Sequence, residues 1–216
     1  MITVPELVEE YVKRSPYLEE SLAHGLINLS SLARLIQPQI RKKLLKDIQL
    51  GAIVMALKRL ANKKYPEDSK LASILQNLGD ITVRSNLIEY TFSNSSTLAF
   101  KQSLLFQYIA QEKISFLAVT DGVFESSMFV SSNLEEQIEK IFNDEKLLHK
   151  ISALSSITIV IPKEAVYVPG VYYSILKCLA WEGISFVEVV SSFTELTIFI
   201  ESKNVDQAFS VLKSLT

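Results

Sequence analysis

The chain is 216 residues long, 48% apolar and 21% charged, with a formal net charge of −2. That supplies one large core or two to three small ones, and a charge balance whose overall field recruits neither nucleic acid nor a membrane surface. No segment reaches the roughly 20 apolar residues that cross a bilayer, Met1 to Glu10 lacks the apolar core of a secretory signal, and the single cysteine, Cys178, excludes an intramolecular disulfide or a multi-thiolate metal site. The composition reads as a soluble, cytoplasmic protein.

In chain order, residues 1–85 read as a helical module. Its segments are Pro5 to Arg14, Pro16 to Leu26, Leu29 to Ile36, Pro38 to Leu45 and Leu50 to Ala61. Asn28 suits an N-cap, and Pro38 is expected to open a new helix rather than sit inside one. Residues 1–70 carry a net +4 and the remainder −6. Arg41, Lys42, Lys43, Lys46, Lys58, Arg59, Lys63 and Lys64 are set against Asp47 alone. Asp80 to Phe92 holds two β runs separated at Ser85-Asn86, the first readable as a wing strand.

These elements resemble a winged helix-turn-helix. "NLSSLARLI" takes the place of the scaffold helix, and "IQLGAIVMALKRLA" that of the helix entering the major groove. The resemblance implies DNA contacts at Gln49, Lys58 and Arg59, with Lys63 and Lys64 beyond: lysines on phosphate, glutamine or arginine on base edges. Gly51, Ala52 and Val54 leave little to hydrogen-bond near the helix start. The same module therefore also reads as a body that contacts protein, and the residues leave both readings open.

The second part repeats at a shift of 70. Ala110, Glu112, Ile114-Ser115-Phe116, Glu125 and Phe129 recur as Ala180, Glu182, Ile184-Ser185-Phe186, Glu195 and Phe199. The expected order in each copy is strand, helix, strand, strand, helix. For residues 86–150 this gives Leu87 to Phe92, Thr97 to Gln111, Ile114 to Thr120, Phe124 to Ser131 and Asn133 to Phe142. For residues 151–216 it gives Ile157 to Ile161, Val171 to Trp181, Ile184 to Val190, Glu195 to Glu201 and Val205 to Leu215. The fold class is α+β, with two ferredoxin-like βαββα units. "NDEKLLHKISALSS" between them reads as helix and linker and the second copy stops at its last helix, so each unit lacks a fourth strand, to be supplied by the other unit, by a partner chain or not at all.

Pro169-Gly170-Val171, Ile175-Leu176, Leu179-Ala180, Gly183-Ile184, Glu188, Ser191-Ser192, Glu195-Leu196 and Asp206-Ala208-Leu212 resemble the ACT domain, above all the tandem pair of aspartokinases. The resemblance implies a regulatory protein that pairs as a homodimer and binds a small amino acid. Val168, Pro169, Gly170, Val171 and Tyr172 would form the binding turn, and Glu188, Val189 and Ser191 would face a partner unit. The first copy has Ala99-Phe100 where the second has Pro169-Gly170. Unpaired amides and partial positive charge at a helix start suit a carboxylate, and Gly170 removes the Cβ in its way. The plainer reading is a turn whose proline fixes φ and which holds nothing.

Catalytic chemistry finds no home. His24 and His149 have no partners at ligand spacing, Cys178 lies on an apolar helix face, and no glycine-rich phosphate loop carries a lysine. No metal, cofactor or membrane is implied. The chain reads as a non-catalytic sensor coupled to DNA, or as a regulatory or scaffolding subunit of an amino-acid biosynthetic enzyme.

Overall fold

The computed structural model describes residues 2–62, 66–112 and 116–215, and the chain divides into two compact units, Met1–Asp68 and Ser69–Thr216. The first unit holds α1 (Val4–Lys13), α2 (Pro16–Ala23), α3 (Leu29–Leu44) and α4 (Leu50–Ala61); the boundary falls within α5 (Pro66–Gln76). Thr3 and Glu6 open α1 with a reciprocal capping box, and Asn28 Oδ1 accepts from the Ser31 amide at 3.0 Å to open α3. Leu7, Val8 and Val12 meet Leu32, Ala33, Ile36, Ile40, Ile53 and Leu57 in one core.

Pro38 does not split its segment: α3 runs through it to Leu44. The buried face, Leu32-Ala33, Ile36 and Ile40, continues unbroken past the proline, which lies on the exposed side, where a missing amide bond is tolerated. Nor is there a wing, because the first unit contains no strand among its described residues. Residues 81–84, read as a wing, begin the sheet of the second unit.

That unit contains β1 (Ile81–Ser93), α6 (Leu98–Glu112), β2 (Leu117–Asp121), β3 (Glu125–Ser131), α7 (Glu135–Ile141), β4 (Leu147–Val160), α8 (Val171–Trp181), β5 (Glu188–Ser191), β6 (Glu195–Glu201) and α9 (Val205–Lys213). Its six strands form one sheet in the order β2-β3-β1-β4-β6-β5. The fourth strands absent from the sequence reading are exchanged. From Leu87 to Ser93, β1 pairs with β3 of its own repeat, while Ile81 to Arg84 pair with Ile159 to Ser156 of the other. Reciprocally, β4 pairs with β6 from Leu154 to Val160, while Leu147 to Ile151 pair with β1.

The segment expected to be helix and linker is thus the start of β4. Leu147 and Leu148 are largely exposed, so no alternating buried face marks it, and the ladder with β1 supplies its structure.

Each long strand is kinked where it passes between repeats. Asn86 and Ala153 both adopt left-handed φ, 59° and 57°, and the residues after them, Leu87 and Leu154, face each other across the ladder. The kinks reverse which side chains face the helices. Ile88, Tyr90 and Phe92 pack with α6 and α7 residues; Ile157 and Ile159 pack with α8 and α9 residues.

Away from the helices, Leu87, Phe129, Leu154 and Phe199 form a separate buried cluster. In a flat sheet β3 and β6 would lie three strand spacings apart, about 14 Å. Yet the Phe129 and Phe199 rings stack at 3.7 Å, so the sheet folds across the β1–β4 seam and closes its two halves over these rings. The kink at Ala153 carries a steric cost that asparagine eases at position 86. Ala153→Gly is therefore expected to raise stability to urea by up to about 1 kcal/mol, and Ala153→Val to lower it by at least as much.

Candidate functional site

The turn of the second repeat follows a 3-10 turn at Lys163–Tyr167 and leads into α8. Gly170 is the N-cap at φ 91°, and its carbonyl accepts from the Ser174 amide at 2.8 Å. No side chain caps this helix start. A Cβ at Gly170 would sit an ordinary 3.5 Å from Leu71 Cδ2, so backbone conformation rather than crowding selects glycine. Pro169, Gly170 and Tyr172 are exposed, Val171 is buried, and Val168 packs on the second repeat's core.

The strand residues assigned to the same site divide. Val189 pairs with Ile198 and packs on that same core as Val168, whereas Glu188 pairs with Phe199 and faces the opposite side of the sheet. Ser191 is exposed at the end of β5.

The counterpart turn in the first repeat is misplaced by a uniform shift of 70. Residues 94–97 join β1 to α6, whereas residues 161–170 join β4 to α8. Ser95-Ser96-Thr97 therefore stands where Val168-Pro169-Gly170 stands in the second repeat, and Ala99-Phe100 lies inside the first turn of α6.

This first turn is filled. Ser95 Oγ accepts from the amides of Thr97 and Leu98 and donates to Glu145 Oε2 at 2.7 Å. Thr97 Oγ1 donates to Glu145 Oε1 at 2.6 Å. The Lys101 ammonium pairs with Asp144 and lies 3.6 Å from Glu145. The Glu145 side chain is 3% exposed, and the hydroxyl donors hold its carboxyl below the usual range. Sequence inspection passed over these residues, although serine and threonine just before a helix are a recognisable capping signal.

On the side of the sheet away from the helices, Glu89 is a buried carboxylate. It is 6% exposed; Oε1 accepts from Thr91 Oγ1 at 3.1 Å, and Oε2 is buried without a hydrogen-bond partner. Burial pushes its pKa up, the Glu188 charge adds to this, and Thr91, Ser127 and His149 oppose it. Elsewhere the Cys178 thiol donates to the Ser174 carbonyl at 3.2 Å, and burial raises its pKa, the opposite of an activated nucleophile. His24 and His149 are exposed. Among the described residues no cluster of histidine, cysteine or carboxylate side chains could hold a metal ion.

In the N-terminal unit, Gln49 is the N-cap of α4, while Lys58 and Arg59 lie in its last turn; all three are exposed. Gln49 and Lys58 stand about two and a half helical turns apart and thus on opposite sides. Lys63 and Lys64 lie outside the described residues. The basic group is also less one-sided than its sequence implies: Arg41 pairs with Asp47 at 2.8 Å, and Lys43 with Glu10 at 3.0 Å.

Neither a protein-family model nor a curated protein matches the chain. Solved structures do match, among them aspartate kinases and their regulatory subunits. The Clostridium acetobutylicum enzyme is 14% identical over 64% of this chain and 34% of its own, with a TM-score of 0.54. The aspartate kinase regulatory subunit from Thermus thermophilus, in its ligand-free form, is 13% identical over 64% of this chain and 98% of its own, with a TM-score of 0.50. A structure of aspartokinase alpha and beta subunits gives 16%, 64%, 97% and 0.51. The likeness is one of fold: an ACT-type α+β arrangement as in aspartate kinase regulatory domains. This chain spans about a third of the Clostridium enzyme and nearly all of the regulatory subunit.

Glu89 makes the closed sheet sensitive to pH. A carboxyl whose folded pKa is raised favours the folded state below its unfolded value and loses that contribution as pH rises through the folded value. Glu89→Gln is accordingly expected to raise the melting temperature by a few degrees at pH 7 to 8. The gain should shrink as pH falls from there towards the ordinary glutamate value of 4.5 and be gone below it, as scanning calorimetry across that range would register.

Proposed function

We propose that the chain is a non-catalytic regulatory protein in which the turn Val168 to Tyr172 takes the carboxylate of a small amino acid. The observation that carries this reading is the start of α8. Its first amides have no side-chain cap, Gly170 opens the approach at a φ that other residues resist, and the turn is exposed. Partial positive charge and unpaired amides there favour a carboxylate, and Tyr172 stands beside it. Val168 and Val189 share the core behind the turn, whereas Glu188 serves the other side of the sheet and is dropped from the ligand set. Val189 and Ser191 remain on the edge strand, open to a second copy of this chain. A ligand there would bias how two copies pair.

Of the two outputs considered, the regulatory partner of a biosynthetic enzyme is favoured over a DNA-binding protein. The regulatory subunit from Thermus is matched over nearly its whole length, so a chain of this fold can be a subunit rather than part of a kinase. Against DNA stand the division of Gln49 from Lys58 across α4 and the pairing of Arg41 and Lys43 with carboxylates. No helix among the described residues is long and apolar enough to cross a membrane.

A thermal-shift screen of the twenty amino acids tests the reading, since a ligand of the folded state raises the melting temperature by mass action. One amino acid or a chemically related group should stabilise the protein. Gly170→Val should abolish that shift, while Gly25→Ala, at another left-handed glycine (φ 71°), should lower stability and keep it. If all twenty leave the melting temperature unmoved at millimolar concentration, the sensor reading is wrong.

A further inference from the structure

We propose that the first repeat's turn is also a carboxylate site, and that its ligand is the chain's own Glu145. External effector would then enter each chain only at the second repeat. The stoichiometry rests on the function proposed above; the internal site does not.

The chemistry is that of ligand recognition. A carboxylate needs donors for both oxygens and a positive charge to offset its own. Ser95 Oγ supplies one oxygen, Thr97 Oγ1 the other, and the Lys101 ammonium stands 3.6 Å away on a side chain only 11% exposed. Ser95 also accepts from the amides of Thr97 and Leu98, so the helix start reaches the carboxylate through one hydroxyl relay. Glu145 comes from the connection between α7 and β4, about 50 residues along the chain, so this is a tertiary contact rather than a local cap. At the matching place the second repeat has Val168-Pro169-Gly170, which brings no hydroxyl and leaves the α8 amides uncapped. One turn is thus built around an attached carboxylate, and the other is open to a free one.

The connection that carries Glu145 runs directly into β4, whose first residues pair with β1 before the strand crosses to the second repeat. An occupied first turn therefore anchors the entry of the strand that both repeats share.

The test removes the internal carboxylate and offers a small one. Glu145→Ala in the full chain should lower the melting temperature by several degrees. Acetate at tens of millimolar should restore part of that loss, while sodium chloride at equal ionic strength and acetamide should not. Wild type should not respond to acetate in this way. Adding Thr97→Val to Glu145→Ala should remove the rescue. Should Glu145→Ala not fold, Glu145→Gln serves instead. The depressed Glu145 pKa makes its contribution present at neutral pH and lost on acidification, so the wild-type advantage over Glu145→Gln should fade as the solution is acidified below pH 4.5.

A Glu145→Ala protein as stable as wild type overturns the proposal. So does a loss that acetate and acetamide repair equally, or a Glu145→Gln difference that is constant with pH. Acetate rescue that persists in the Gly170→Val background separates the internal site from the effector reading, since either can then fail without the other.

Discussion

Everything in the C-terminal unit depends on the antiparallel ladder between β1 and β4. A βαββα unit leaves one strand position of its four-stranded sheet open, and an open edge exposes unpaired backbone groups. Here each repeat closes the other's sheet with the far end of its own first strand. The ladder breaks at the kinks of Asn86 and Ala153, and that break lets a six-stranded sheet fold over Phe129 and Phe199. The aromatic cluster and the buried Glu89 both follow from this closure. The two repeats cannot be treated as independent modules, because neither owns a complete sheet.

The same asymmetry that distinguishes the repeats in sequence divides their chemistry. The short connection after β1 ends in Ser95-Ser96-Thr97 and is satisfied internally. The longer one after β4 ends in Val168-Pro169-Gly170 and presents bare amides. The duplicated fold thus keeps its architecture while its two turns differ, and β1 and β4 run through both halves. On the function proposed above, a ligand at Gly170 would act on a sheet whose other half is already held by Glu145.

Much of the fold was readable from the residues. Val171 to Trp181 and Glu195 to Glu201 have the expected boundaries because helical periodicity and β-branched alternation are strong there. The start of β4 was not, because Leu147 and Leu148 are exposed and its order comes from a strand more than 50 residues away. The continuity of α3 through Pro38 was hidden for a related reason: local propensity favours a break, but the buried face formed by Leu32, Ile36 and Ile40 runs straight on. Gly170 could be picked out by its place before a helix. Ser95, Thr97 and Glu145 could not be assembled, since a fixed shift of 70 pairs the wrong residues and the carboxylate arrives from a distant connection. Glu188 lies on the face opposite Val189, an alternation that a family pattern does not encode.

Native-state hydrogen exchange, read at the amides of β1 and β4, tests the strand exchange most directly. If each repeat completes the other, the amides of Leu87 to Phe92 and of Leu154 to Ile159 exchange through one cooperative opening with a common free energy and a common dependence on denaturant. Opening of one set at a clearly lower free energy, with the other still protected, would contradict the account and make the repeats separate domains.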